Sequence, residues 1–226
     1  VSALTSKELL PLSKGLISKE KVIAISGVFP NDLEKRLQEI EPFRQLACKN
    51  KKGSNDIQKV THDNHKQSEN STVSLQPECT GQVILMLGVA TIPHAHKDDL
   101  TLRLLGCHLG SGMSSLLFRE LREKNGVAYD VGVHHPTRQG EAPFLIHVST
   151  SEDKALLTLK LLQEIWESLE QKELSDSELA LARAKFRGQI AHNSQTISKR
   201  AERKVLQKIL RMGDDYDTQS IETIES

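Results

Sequence analysis

The chain has 226 residues, of which 37% are hydrophobic, and its 30 basic and 30 acidic side chains cancel at pH 7. That apolar content is enough for a core, whereas the balanced charge provides no overall field to attract nucleic acid or an anionic membrane. No apolar run approaches the ~20 residues that a membrane-spanning helix requires, and no signal peptide opens the sequence. We therefore expect a soluble globular protein, in a compartment that the sequence leaves open.

The N-terminal part predicts a helix, a strand and a second helix. Thr5 and Glu8 have the spacing of a capping box, which indicates a helix over about residues 6–12. Residues 22–28 are apolar on both faces, as is typical of an inner strand buried between two layers. The helix that follows Pro30 repeats apolar residues on one face, namely Leu33, Leu37 and Ile40.

A long polar segment comes next. Residues 49–71 contain almost no apolar side chains, so they cannot bury enough surface to order themselves, and we interpret them as a surface connection. His62 and His65 within this segment have the spacing of a metal pair. Because no third ligand and no helical setting accompany them, a solvated loop is the favoured interpretation.

Residues 73–75 and 82–90 predict two further strands, the second apolar on both faces. Residues 98–109 then repeat leucine along one helical face. His94 and His96 have chelating spacing just before this helix, but we interpret them as an exposed loop pair.

The most specific pattern of the chain begins where this helix ends. Gly110 and Gly112 break the helical pattern, because glycine adopts positive φ angles that other residues avoid. Serines that can cap a new helix follow, the helix starts near Met113, and Gly126 stands where a left-handed C-cap is expected. Residues 127–133 alternate between apolar and polar, which predicts a strand after this cap.

The C-terminal part predicts one strand and then helices alone. Residues 144–150 pair with the preceding strand as an antiparallel hairpin. Ser151 caps the first helix, Ser175 and Glu178 form a capping box for the second, and the third runs over about residues 198–212. The first of these helices carries an apolar stripe of core residues: Leu156, Leu159, Leu162, Ile165, Trp166 and Leu169. We expect the C-terminal end to lack a core contact and the chain to be a piece of a longer one.

This order of elements indicates an α+β layered fold rather than a doubly wound one. We treat residues 1–226 as one domain, with residues 49–71 as a connection within it. The odd number of cysteines and their scattered positions predict free thiols at Cys48, Cys79 and Cys107.

Residues 110–129 also resemble a family signature. They read Gly-Ser-Gly-Met-Ser-Ser-Leu-Leu-Phe-Arg-Glu-Leu-Arg-Glu-Lys-Asn-Gly-Val-Ala-Tyr, which is similar to the C-terminal, non-zinc domain of M16 metallopeptidases, the pitrilysin, insulinase and mitochondrial processing peptidase group. The resemblance implies a mostly antiparallel sheet backed by a layer of helices. It also implies one wall of a closed chamber, opposite a zinc-bearing domain in the same chain or in a partner subunit, as a homo- or heterodimer.

The resemblance supplies the candidate site residues. In this family an arginine and a tyrosine seven positions later bind the main chain of a peptide substrate, and Arg122 and Tyr129 match them. The turn of Gly110, Ser111 and Gly112 is assigned to substrate binding with them. A guanidinium and a phenol both donate hydrogen bonds to a carbonyl oxygen. By residue type alone, structural roles are favoured, Arg122 at a helix end and Tyr129 in the core, and it is the surrounding motif that favours substrate binding.

The sequence contains no catalytic set of its own. The family's zinc motif, His-x-x-Glu-His, is absent, and His134 and His135 lack its helical spacing. We therefore expect no metal in this chain, zinc in the partner domain or subunit, and no peptide cleavage by this chain alone. The favoured function is the zinc-free, substrate-binding domain of a peptidase. The alternative is a structural subunit related to the processing-peptidase-like core proteins of respiratory complexes.

Overall fold

The computed structural model describes residues 5–18, 21–40, 73–76 and 80–225. The chain divides into two compact units, one of Val1–Lys21 with Gly27–Glu78 and one of Val22–Ser26 with Cys79–Ser226. The predicted connection over residues 49–71, with His62 and His65, lies outside the described residues. One domain over residues 1–226 stays a prediction.

Among its described residues, the first unit contains the helices α1 (Ser6–Ser18) and α2 (Leu33–Glu39). The Glu8 carboxylate accepts hydrogen bonds from the backbone N–H and the hydroxyl of Thr5, at 2.8 and 3.0 Å, which fixes the first turn of α1. No residue of α2 is buried, although Leu33 and Leu37 are partly covered. Both helices agree with the sequence, and α1 extends well beyond its predicted end.

The second unit holds the sheet and most of the helices. Its elements are β1 (Val83–Thr91), α3 (Asp99–Gly110), a π-helix (Phe118–Lys124), β2 (Asp130–His134), β3 (Ala142–Thr150), a 3-10 turn (Glu152–Lys154), α4 (Ala155–Gln171), α5 (Asp176–His192), α6 (Ile197–Ile209) and α7 (Tyr216–Glu225). The α+β fold predicted from the sequence is confirmed. No helix in the described part of the chain is long and apolar enough to cross a membrane.

The three strands of this unit form an antiparallel sheet in the order β1-β3-β2. β2 and β3 form the predicted hairpin, in which Val133 lies opposite Ile146. β1 pairs with the other side of β3, where Leu87 lies opposite Ile146. Because side chains alternate between the two faces of a strand, this register places all three residues on one face of the sheet.

This inner face carries the main core. Alternate residues of β3, from Ala142 to Thr150, are buried on it. They pack against α3, the π-helix region and α4, whose most buried apolar side chains are Leu109, Leu117, Leu121, Leu162 and Ile165. Only part of the predicted stripe of α4 takes part, since Leu156 is 83% and Leu159 40% exposed.

A second apolar cluster joins the C-terminal helices to α3. Cys107 of α3, Ala182 and Phe186 of α5 and Ile224 of α7 are buried against one another. The expectation that the C-terminal end lacks a core contact is therefore wrong, because Ile224 is only 4% exposed. Cys107 is a free thiol whose pKa burial raises to about 11. The thiol state of the other two cysteines, which lie outside the described residues, stays a prediction.

Two of the predicted strands do not form. Residues 22–26 belong to the second unit without strand pairing, and Ile23 and Ile25 are 47% and 46% exposed. Residues 73–75 have no regular structure, and Val73 and Leu75 are each 87% exposed. An apolar run favours burial, but a strand also needs a neighbour for its backbone hydrogen bonds, which composition does not specify.

Candidate functional site

The glycine turn after α3 uses its two glycines for different reasons. Gly112 has the predicted positive φ, at +73°. Gly110 instead lies against β2, where an added Cβ atom would come within 2.6 Å of the backbone nitrogen of Val133. Met113 is 74% exposed and still part of the turn, so helical backbone begins only at Leu116.

We expect Gly110→Ala to destabilise the protein by ~1–3 kcal/mol, because the added methyl group collides with the backbone of β2. Gly106→Ala, one turn earlier in α3, is the matched control. Its added Cβ meets no atom closer than 3.7 Å, so this variant should be neutral or more stable by up to ~1 kcal/mol. Urea unfolding measures both variants, and equal stabilities would contradict the close approach of α3 to β2.

A tight corner connects the π-helix to β2. The Leu121 carbonyl accepts hydrogen bonds from the N–H groups of Val127 and Ala128, at 2.8 and 3.2 Å. Gly126, just before them, has a φ of +59°, so the predicted left-handed C-cap is confirmed. β2 begins only after Tyr129, which therefore lies in the corner rather than on the apolar face of the predicted strand.

Arg122 and Tyr129 meet at this corner. Nη1 of Arg122 donates a hydrogen bond to the backbone carbonyl of Tyr129 at 3.2 Å. The guanidinium carbon also lies 5.0 Å from the centre of the Phe118 ring, within the range of a cation–π contact. These two contacts hold the guanidinium in one position, although the Arg122 side chain is exposed.

The phenol of Tyr129 points away from the core. Its side chain is 58% exposed, while its backbone N–H donates to the Ser149 carbonyl at 2.8 Å. Among the described residues, none forms a hydrogen bond with its hydroxyl. The interpretation of Tyr129 as a core residue is therefore wrong. The corner thus holds the Arg122 guanidinium against the Tyr129 backbone, while the Tyr129 phenol is exposed.

Within the described part of the chain, the outer face of the sheet is largely uncovered. Ile84 and Met86 of β1 lie on it and are 62% and 70% exposed, so the prediction that this strand is buried on both faces is wrong. His147 of β3 lies over Gly132 of β2, and its Nε2 is 3.3 Å from the carboxylate of Asp130. Apolar side chains and one polar pair therefore share this face.

The glycine turn lies at a different cavity. Ser111 and Gly112 line an open cavity of about 560 Å³ together with residues of α5. The Ser111 hydroxyl accepts a hydrogen bond from Nε2 of Gln189 at 3.1 Å. Neither Arg122 nor Tyr129 lines this cavity. The five predicted site residues therefore do not form one site. Arg122 and Tyr129 lie together at the corner, and the glycine turn lies at a separate cavity.

One of the histidines flagged in the sequence is buried in a polar cluster. His135 is 4% exposed in its side chain, with Nε2 3.2 Å from the Asp99 carboxylate and Nδ1 3.2 Å from the Pro143 carbonyl. Nε of Arg103 donates to the same carboxylate at 2.6 Å. Sequence reasoning misses this cluster, for which the one signal is an aspartate and an arginine four residues apart in an apolar helix.

The described residues do not fit a zinc ion. Within the described ranges, no group of three His, Cys, Asp or Glu side chains is placed to hold a metal. His96, a member of the predicted loop pair, accepts a hydrogen bond through Nδ1 from the backbone N–H of Asp98 at 3.2 Å. Its Nδ1 is therefore bound within its own loop.

We expect the 226-residue chain to bind no stoichiometric zinc. Three protein ligands at tetrahedral spacing are the minimum for a zinc site, and the sequence supplies no such set. Elemental analysis of chelator-treated protein, after dialysis against a slight excess of zinc, measures the bound metal. One tightly held zinc per chain would contradict this prediction.

The family model for the peptidase M16 inactive domain matches residues 22–186. The chain belongs to this family. An uncharacterized zinc protease from Rickettsia felis is 31% identical over 122 residues, which are 54% of this chain and 29% of the relative. Another from Rickettsia bellii is 35% identical over 137 residues, 60% of this chain and 31% of the relative. The chain thus spans less than a third of the length of these curated relatives.

A solved structure agrees with this family assignment at the level of fold. The peptidase M16 inactive domain from Pseudomonas fluorescens matches with a TM-score of 0.58 and 22% identity, over 65% of this chain and 35% of that one. The resemblance stated from residues 110–129 is therefore confirmed for the family, and the M16 inactive-domain fold holds the corner and the turn described above.

Proposed function

We propose that this M16 inactive domain binds the main chain of a peptide substrate and forms the chamber wall opposite a zinc-bearing domain of a zinc peptidase. That domain lies in the same chain or in a partner subunit, so the working protein is a two-domain chain or a homo- or heterodimer. The observation that carries the proposal is the exposed Arg122–Tyr129 pair, joined by a hydrogen bond at the corner, with a phenol that has no hydrogen bond to the described residues.

The chemistry of the pair suits a peptide carbonyl. A guanidinium has five N–H donors in a fixed fork, and one of those of Arg122 is used by the Tyr129 carbonyl. The remaining donors and the Tyr129 hydroxyl are available to a carbonyl oxygen of an extended substrate. Donors fixed before the substrate arrives need no reorganisation when negative charge develops on that oxygen, which is how an oxyanion is stabilised.

The positions of both residues on the backbone support the same function. Arg122 is fixed by Phe118 and by the corner itself, and Tyr129 is anchored through its N–H to β3. A site on such elements holds its donors more accurately than one on a free loop. The open outer face of the sheet, with Ile84 and Met86, offers apolar contacts to a substrate's side chains.

The structural-subunit alternative has less support. Relatives that match more than half of this chain bear the name of zinc proteases. The Tyr129 hydroxyl is also exposed and has no hydrogen bond to the described residues, and a structural subunit has no evident use for such a group. The peptidase function therefore accounts for more of the observations.

A photo-cross-linking experiment tests peptide binding directly. Tyr129 is replaced by benzoylphenylalanine in the complete peptidase, which is treated with a chelator so that a bound peptide is not cleaved. We expect a biotinylated peptide to cross-link at this position, and an excess of unlabelled peptide to compete. Lys160 on α4, whose side chain is 74% exposed, provides the control position. Equal labelling at both positions would contradict the proposal.

A further inference from the structure

A second cavity, of about 200 Å³, lies between α3, the turn into the π-helix and α5. It shares Ser114 and Lys185 with the larger cavity at the glycine turn, so the two cavities adjoin. His108 lines it from α3 and Arg119 from the π-helix, with Lys185 on α5. We call this cavity the basic groove, defined by His108, Ser114, Arg119, Glu178 and Lys185.

The cations of the basic groove lack partners within the described part of the chain. Nε of Arg119 is buried and makes no hydrogen bond. Neither Arg119 nor Lys185 forms an ion pair with another described residue. His108 is only 7% exposed, and its ring has no hydrogen bond to any of the described residues either. A buried donor without an acceptor, here Nε of Arg119, is destabilising, which points to an acceptor that lies outside the described residues.

The one carboxylate in the basic groove, that of Glu178, already accepts hydrogen bonds from the start of α5. Glu178 accepts hydrogen bonds from the backbone N–H and the hydroxyl of Ser175, at 3.0 and 2.7 Å, as part of the capping box of α5. Arg119 and Lys185 share the groove with this single carboxylate, so one positive charge is left in excess there. Burial lowers the pKa of Lys185, and the nearby Arg119 lowers it further, as expected where positive charge is not fully compensated.

We propose that the basic groove binds a phosphate group, free or carried by a small organic phosphate. The donors of Arg119, Lys185 and Ser114 reach the cavity from different elements, and a tetrahedral phosphate offers oxygens in as many directions. A carboxylate offers only two, coplanar oxygens, so it presents acceptors in fewer directions than a phosphate does. The adjoining cavity of about 560 Å³ has room for the organic part. This site goes beyond the proposed peptide binding and does not depend on it.

Equilibrium dialysis of the complete, chelator-treated protein tests this site with radiolabelled inorganic phosphate and, separately, with adenosine 5′-monophosphate. We expect saturable binding of one phosphate per chain. Arg119→Gln and Lys185→Gln should each weaken it about tenfold or more, because each removes a charged donor. Lys160→Gln, on the exposed surface of α4, should leave it unchanged.

A fourth variant should change the affinity for phosphate in the opposite direction. Glu178→Gln removes the negative charge beside the groove but keeps a residue that serves a capping box, so it should tighten phosphate binding while α5 stays folded. If adenosine 5′-monophosphate binds more tightly than inorganic phosphate, the larger cavity holds its organic part. If the two bind equally tightly, the site recognises the phosphate group alone. No saturable binding, binding unaffected by Arg119→Gln and Lys185→Gln, or equal binding of acetate would overturn the proposal.

Discussion

Replacement of Tyr129 by Phe should lower kcat/KM for peptide cleavage by roughly 10²–10³ in the complete peptidase, a loss of ~2.7–4 kcal/mol of transition-state stabilisation. The free energy of unfolding should change by less than ~0.5 kcal/mol. The phenol is 58% exposed and its hydroxyl has no hydrogen bond to the described residues, so its loss leaves no cavity and no unsatisfied partner. Steady-state kinetics and urea unfolding of the same preparation measure the two quantities.

The chain's other tyrosine provides the matched control. Tyr216 begins α7 and is partly buried, with the Arg203 guanidinium 5.7 Å from its ring centre. Tyr216→Phe removes the same hydroxyl at a place that the proposed substrate does not touch, so cleavage should stay at the wild-type rate. Full activity in folded Tyr129→Phe protein, or an equal loss in Tyr216→Phe, would remove Tyr129 from the substrate site.

Arg122 is a less clean test of the same site. Its removal also breaks the hydrogen bond to the Tyr129 carbonyl, which contributes ~0.5–1.5 kcal/mol to stability in a typical case. It further removes the cation–π contact with Phe118. A drop in activity of Arg122→Ala would therefore combine a lost substrate donor with a loosened corner, whereas Tyr129→Phe isolates the donor.

The corner could be predicted from the sequence because its signals are local. A glycine in the left-handed conformation ends the helix at Gly126, and the short distance along the chain leaves Arg122 and Tyr129 as neighbours. The π-helical backbone and the exposed side of Tyr129 could not be predicted. Alternation of apolar residues places Tyr129 on the inner face, but β2 begins at Asp130, three residues after the predicted start at Val127.

The sheet shows the limit of apolar patterns. β3 alternates between buried and partly buried residues over its whole length, which its sequence indicates, since one face packs on the helices. β1 is apolar on both faces in sequence, yet Ile84 and Met86 are exposed. Whether a second layer covers the outer face of β1 depends on the rest of the protein. The residues of the strand alone do not determine it.

The buried Asp99 cluster could not be predicted from the sequence because its members are far apart along the chain. Asp99 and Arg103 are neighbours on α3, but His135 and Thr137 come from the connection between β2 and β3. Only the packing of α3 on β2 brings them together. A polar cluster of this kind is a long-range product of the fold, so the local pattern indicates only the pair of Asp99 and Arg103.

This cluster leads to the largest expected change in stability: Asp99→Ala should destabilise the protein by ~3–5 kcal/mol. The Asp99 side chain is 2% exposed and accepts from Nε of Arg103 at 2.6 Å, with Nε2 of His135 3.2 Å away. Without the carboxylate, the charge of Arg103, whose side chain is only 19% exposed, loses its counter-ion. The desolvation of that charge is then uncompensated.

A surface pair of the same residue types is the control. Asp32 and Arg36 are also an i,i+4 pair, at 2.9 Å, but their side chains are 53% and 62% exposed. Water screens an exposed pair, so Asp32→Ala should cost at most ~1 kcal/mol. Both variants have the same sequence spacing and the same deletion, so the difference between their free energies of unfolding reports the burial of Asp99 and its further contact with His135. An Asp99→Ala protein no less stable than Asp32→Ala would show that the cluster does not hold α3 to the connection between β2 and β3.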